Sequence, residues 1–116
     1  MTSSLPSLES VILTSLEANQ GGDVLSLDIR KATSIADYMI FCTGKSTRHS
    51  HGLKRHLTDD VQTHLPHLTK PNIQGEEDGQ WIVLDFGDAI VHLMLEETRS
   101  YYALEKLWAT LIAHHS

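Results

Sequence analysis

The chain has 116 residues, 41% hydrophobic and 21% charged, which suits one globular domain spanning residues 1–116. Lys and Arg number 9 against 15 Asp and Glu, a formal net charge of -6. That sign disfavours a protein that draws its affinity from nucleic-acid phosphates and suits one that meets a basic partner. A single cysteine, Cys42, excludes an intrachain disulfide, and no apolar stretch approaches the roughly 20 residues that span a bilayer. The first ten residues carry neither a signal nor a transit pattern, so a cytoplasmic location and no membrane partner are expected.

In chain order, Ser4 and Pro6 mark a helix start. Leu8, Ile12 and Leu16, with Leu5 and Val11 beside them, form one apolar stripe that Gly21 and Gly22 end. Leu25, Leu27 and Ile29 alternate with polar residues, the pattern of a half-buried strand. After a polar turn around Lys31–Ser34, the run Tyr38–Cys42 is continuously apolar, as an interior strand requires, and Gly44 ends it. Ser46 is placed to N-cap a second helix whose stripe is Leu53, Leu57, Val61 and Leu65. Residues 67–80 read as a loop with a short strand near Asn72–Gln74.

Trp81–Phe86 and Ala89–Leu95 then flank Gly87-Asp88, a two-residue hairpin loop of type II′ character. The register sets Phe86 against Ala89, Leu84 against Val91 and Ile82 against Leu93, a wholly apolar face that must be core. The other face sets Trp81 against Met94, Val83 against His92 and Asp85 against Ile90. Glu97–Ala113 reads as one helix with Tyr101, Leu104, Leu107, Trp108 and Leu111 on its apolar side. The whole is an α/β fold, a mixed sheet flanked by helices.

Several motifs imitate chemistry. Gly44-Lys45-Ser46 resembles the tail of a phosphate-binding loop, but the glycine required five residues earlier is Met39. Asp85-Phe86-Gly87 imitates a kinase metal motif without the rest of a kinase, so it reads as a turn. Neither Asp85 with Asp88 nor Asp59 with Asp60 presents paired carboxylates from one strand face, as two-metal chemistry needs. His56, Asp60 and His64 share a helix face, yet no further ligand is near in sequence, so a solvated face is expected rather than a metal site. His49 reads as a hydrogen-bonded structural residue, and Cys42 as a buried, inert thiol. No cofactor, metal or catalytic residue is expected.

The mixed hairpin face is more apolar than a solvent face should be. Either a helix covers it or it is a partner surface, since Trp and Met are enriched at interface centres. The partner reading names Trp81, Val83, Asp85, Phe86, Asp88, His92 and Met94.

Three segments in order resemble the ribosomal silencing factor family, also called RsfS or Iojap. After an opening Gly22-Asp23 and Leu27-Asp28, the run Asp37-Tyr38-Met39-Ile40 leads into Thr43-Gly44-Lys45-Ser46-Thr47-Arg48-His49, similar to the family's T-G-x-S-x-x-H signature. Trp81 to His92 resembles its hairpin, and Glu97, Arg99, Tyr102, Leu104, Glu105, Leu107 and Trp108 resemble its C-terminal signature. The chain departs at Gln74-Gly75, where the family tends to have Glu-Gly, and at Arg55, where an acidic residue is frequent. The resemblance implies a nucleotidyltransferase-like fold without the catalytic site. It implies a non-enzymatic protein that binds ribosomal protein L-fourteen of the large subunit, blocks subunit joining and represses translation when nutrients are scarce. It also implies a homodimer off the ribosome and no DNA partner, and it favours the partner reading of the Trp81 face. The competing functions are a vestigial or active nucleotidyltransferase-like enzyme, drawn from fold analogy alone, and a direct rRNA binder, disfavoured by the net charge.

Overall fold

A computed structural model describes residues 6–115. The elements are α1 (Leu8–Ala18), β1 (Gly22–Asp28), β2 (Tyr38–Gly44), α2 (Thr47–His64), β3 (Asn72–Gln74), β4 (Trp81–Asp85), β5 (Ala89–Leu95), α3 (Glu96–Tyr102) and α4 (Leu104–His115). The strands form one sheet in the order β1-β2-β5-β4-β3. β2 and β5 run parallel and the other neighbours antiparallel, the mixed sheet that the sequence implies.

The two central strands are apolar at nearly every position because both of their faces are covered. Ile40 and Cys42 of β2, Val91 and Leu93 of β5, and Ile82 and Leu84 of β4 join Ile12 and Leu16 of α1 and Leu53, Leu57 and Val61 of α2 in one core. Met39 and Phe41 of β2 and Met94 of β5 point to the opposite face, where Leu104, Trp108 and Ile112 of α4 pack on them. The hairpin register is the one read from the two-residue loop, with the Phe86 N–H donating to the Ala89 carbonyl at 2.9 Å. Gly87 takes a φ of +93° and Asp88 does not follow it into that region, as a type II′ turn demands.

α1 begins after Pro6, later than the sequence suggests: Ser7 is its cap and accepts from the Ser10 N–H at 3.1 Å. Ser4 and Leu5 lie outside the described residues. Ser46 caps α2 through the His49 N–H at 3.0 Å. The phosphate-loop imitation is thereby explained. Gly44 lets the end of β2 pass against Ser50, whose Cα would lie 3.3 Å from any Cβ placed there. Inside α2, Gly52 faces open space, with nothing near its Cβ position, so it costs the helix about 1 kcal/mol against alanine with no packing in return.

The C-terminal segment is two helices, not one. Ala103 adopts a left-handed conformation, φ 49° and ψ 39°, between α3 and α4. Arg99, itself buried, bridges the break: its Nε and Nη2 donate to the Glu105 carboxylate at 2.7 and 3.2 Å, and its Nη1 to the Thr43 hydroxyl at 2.8 Å. The break rotates the apolar face. Leu104, Trp108 and Ile112 meet the sheet, whereas Tyr101 and Leu107, expected inward, are exposed. Among the described residues, no helix is long and apolar enough to cross a membrane.

Candidate partner-binding surface

Trp81 opens β4 on the face that α4 covers, at the rim of that second core. Its indole Nε1–H donates to His92 Nδ1 on β5 at 3.0 Å. The imidazole is buried and stacks on Phe41, with centroids 5.0 Å apart and planes 14° from parallel. Its Nε2 lies 3.1 Å from Met39 Sδ. Since Nδ1 accepts, the ring is the neutral tautomer with its proton on Nε2. Burial among apolar groups lowers its pKa from 6.5 to about 4.

On its outer side Trp81 meets Tyr102, with centroids 4.8 Å apart, and Tyr102 meets Tyr101 edge-on at 5.0 Å and 86°. Phe41, His92, Trp81, Tyr102 and Tyr101 thus run from the core to solvent. Phe41 is fully buried, Tyr102 is 51% exposed and Tyr101 82%. Two adjacent tyrosines on solvent forfeit hydrophobic burial, and tyrosine is a preferred residue at the centre of protein interfaces.

The residues expected on the partner face are dispersed. Trp81 and Val83 are half-buried and Asp85 is exposed on one side of β4. Phe86 is half-buried against the opposite core, and Asp88 is exposed at the hairpin tip. The expectation that His92 and Met94 lie on that surface is corrected. Met94 is 1% exposed and His92 8%, because α4 and the Trp81 ring cover them. The two alternatives for this face therefore divide it. α4 covers the side nearer β1, and the β4–β3 side stays open. Asp85 serves the fold locally, since its carboxylate accepts from the Gly87 N–H at 2.8 Å and holds the hairpin turn.

The exposure of Tyr101 and Tyr102 is not what the sequence implies, which sets Tyr101 on the apolar side of one continuous helix. Helical spacing does not mark this, since the neighbours Val11 and Ile12 of α1 both enter one core; the outward turn goes with the break at Ala103. Acidic groups gather at the same end of the sheet. Glu76, Glu77 and Asp78 are exposed in the loop before Trp81, and Glu96 and Glu97 are exposed where α3 begins. The Leu95 N–H donates to the Gln80 carbonyl at 3.1 Å and joins the two segments.

The other candidates resolve locally. His49 accepts from the Lys45 N–H through Nδ1 at 2.9 Å, and its Nε2 meets the Asn19 carbonyl at 3.0 Å, so both ring nitrogens serve the fold. Cys42 is fully buried, and desolvation raises its pKa to about 11. His56 and His64 are exposed, and among the described residues no group of three or more His, Cys, Asp or Glu is placed to hold a metal ion.

A family model described as ribosomal silencing factor during starvation matches residues 2–115. The chain is 35% identical over 102 residues to the ribosomal silencing factor RsfS of Haemophilus influenzae, covering 88% of this chain and 98% of that one. It is 33% identical over 100 residues to the mouse protein named mitochondrial assembly of ribosomal large subunit protein 1, covering 84% of this chain and 43% of that one. A crystal structure of a Chromobacterium violaceum protein, 31% identical, superposes with a TM-score of 0.84 over 92% of this chain and 88% of that one.

Proposed function

The chain belongs to the ribosomal silencing factor family, and from that membership we propose that it binds the large ribosomal subunit and keeps the small subunit from joining it. The contact is ribosomal protein L-fourteen, and the action is occupancy of a surface rather than chemistry. The observation that carries this reading is the exposed Tyr101 and Tyr102, backed by half-buried Trp81 and beside acidic groups. Aromatic anchors supply the energy of such contacts, and an acidic rim speeds encounter with a basic protein. Off the ribosome, a second copy of the chain would shelter the same rings, which accounts for the homodimer implied by the family resemblance.

The experiment pairs a gradient with a melt. Separated subunits are mixed with an excess of protein, and joining is read by sedimentation. Tyr101→Ala/Tyr102→Ala removes one ring that is 82% exposed and one that is 51% exposed against Trp81, so its thermal melt should stay close to the wild type. Its affinity for the large subunit should fall by about 2 kcal/mol, roughly thirtyfold, if the pair contains one interface anchor. Wild-type protein that binds large subunits and leaves joining untouched would refute the silencing action. A tyrosine pair that binds as tightly as wild type would move the contact elsewhere.

A further inference from the structure

The acidic net charge conceals a basic ridge. Four of the 9 Lys and Arg residues, Lys45, Arg48, Lys54 and Arg55, fall within residues 45–55. On α2 the core side is Ser50, Leu53, Leu57 and Val61. Arg48, Gly52 and Arg55, spaced four and three residues apart, lie on the opposite side of the helix. Both arginines are exposed, and Lys45 is exposed just ahead of them. Lys54 is engaged with Glu76 at 2.6 Å, on the flank where the loop 75–80 packs. Among the described residues, no ion pair to Lys45, Arg48 or Arg55 is formed.

Two features of this ridge work against the helix that carries it. The first turn of α2 holds no acidic residue, and Arg48 sits there against the positive end of the helix dipole. Gly52 lies between the arginines with open space where its side chain would be. Alanine there would favour the helix and would meet nothing. Local rules broken together on one exposed strip point to something outside the molecule. A bare position between two guanidinium groups lets a polyanionic backbone approach the helix closely while both arginines reach its phosphates.

We propose that the Lys45–Arg48–Gly52–Arg55 ridge is a contact for the phosphodiester backbone of structured RNA. The proposal rests on the ribosomal reading above and adds a second, chemically distinct surface to it. Gly44, which leads into α2, pairs in the sheet with Leu95, which leads into α3. The basic ridge therefore starts at the same end of the sheet as the aromatic cluster. A ribosomal surface, in which basic protein borders RNA, can meet both.

The test measures binding to purified bacterial large subunits by co-sedimentation between about 50 and 200 mM salt. Arg48→Ala/Arg55→Ala should bind about tenfold more weakly at the lower salt. The slope of log affinity against log salt should become shallower by about 2, since two phosphate contacts are lost. Gly52→Gln should melt no lower than wild type and still bind more weakly, because its side chain holds the backbone off. Fluorescence anisotropy with a short A-form RNA duplex is the second arm, and wild type should bind it at low salt while the arginine pair does not. An unchanged salt slope in the arginine pair overturns the proposal. So does a lost slope on subunits when wild type ignores the duplex, since the ridge then meets an acidic protein. Wild type that fails to sediment with subunits at all refutes the ribosomal reading itself, a result distinct from either.

Discussion

Acid should weaken this fold through His92, and the size of the effect follows from the site. The native ring is neutral, because Nδ1 accepts from the Trp81 indole and the surroundings are Phe41 and Met39. Its pKa is about 4 against 6.5 when free. Between those values the unfolded chain binds a proton that the native chain refuses, so stability rises with pH across that window. The contribution is complete above about 6.5 and is lost as pH falls towards 4. Integrated from pH 7 to 4.5, one such group removes roughly 2 kcal/mol. Urea unfolding at several pH values reads this directly. His92→Gln supplies an amide oxygen for the Trp81 N–H and does not titrate, so its stability should change less over the same range, by up to the whole of that amount. Parallel pH profiles for variant and wild type would refute the neutral, indole-bound imidazole. The lowered carboxyl of Asp28 does not confuse the reading, since Arg30 holds it near 2 and it acts only at lower pH.

Three further outcomes are expected. Cys42 should resist thiol reagents in the native protein and react on unfolding, because it is fully buried and its thiolate is disfavoured; rapid labelling of native protein would place β2 at the surface. Gly44→Ala should destabilise by about 1–3 kcal/mol in chemical denaturation, since its methyl group would press on Ser50 where β2 hands over to α2. Ala103→Gly should stabilise by up to about 1 kcal/mol, because the residue is left-handed and glycine enters that region freely; a loss of stability would mean that the entropy of the unfolded chain outweighs the strain relieved.

The parts of the fold that were legible are those in which one local rule decides. A two-residue loop leaves one register for β4 and β5, and a strand buried on both faces must be apolar throughout, as Tyr38–Cys42 is. Ser46 and the Leu53–Leu57–Val61 stripe gave α2 its start and its buried side. The break at Ala103 was not legible. Alanine is the strongest helix former and carries a Cβ that disfavours a left-handed position, and what holds it there is a tertiary bridge from Arg99 to Glu105 and Thr43. That break turns Tyr101 outward and sets Leu104 and Trp108 on the sheet, so every assignment of the C-terminal face depended on it.

The same dependence explains the mixed outcome at the candidate surface. Alternation along β4 and β5 correctly grouped Trp81, Val83, His92 and Met94 on one face. Whether a face is open depends on what packs over it, and α4 arrives from the far side of a break that periodicity does not reveal. Trp81 sits at the boundary of these two situations. One side of its ring serves the fold through His92, and the other meets exposed Tyr102. Replacing Trp81 would therefore mix a folding loss with a binding loss, since it also strands the buried His92 Nδ1. Tyr101 and Tyr102 carry the cleaner test of partner binding because both are more exposed than Trp81 and neither holds a buried polar group. Net charge and local charge act over different distances. A total of -6 bears on the field at a distance, whereas phosphate contact is decided by which few cations share one helix face. On α2 those are Arg48 and Arg55, with a bare Gly52 between them.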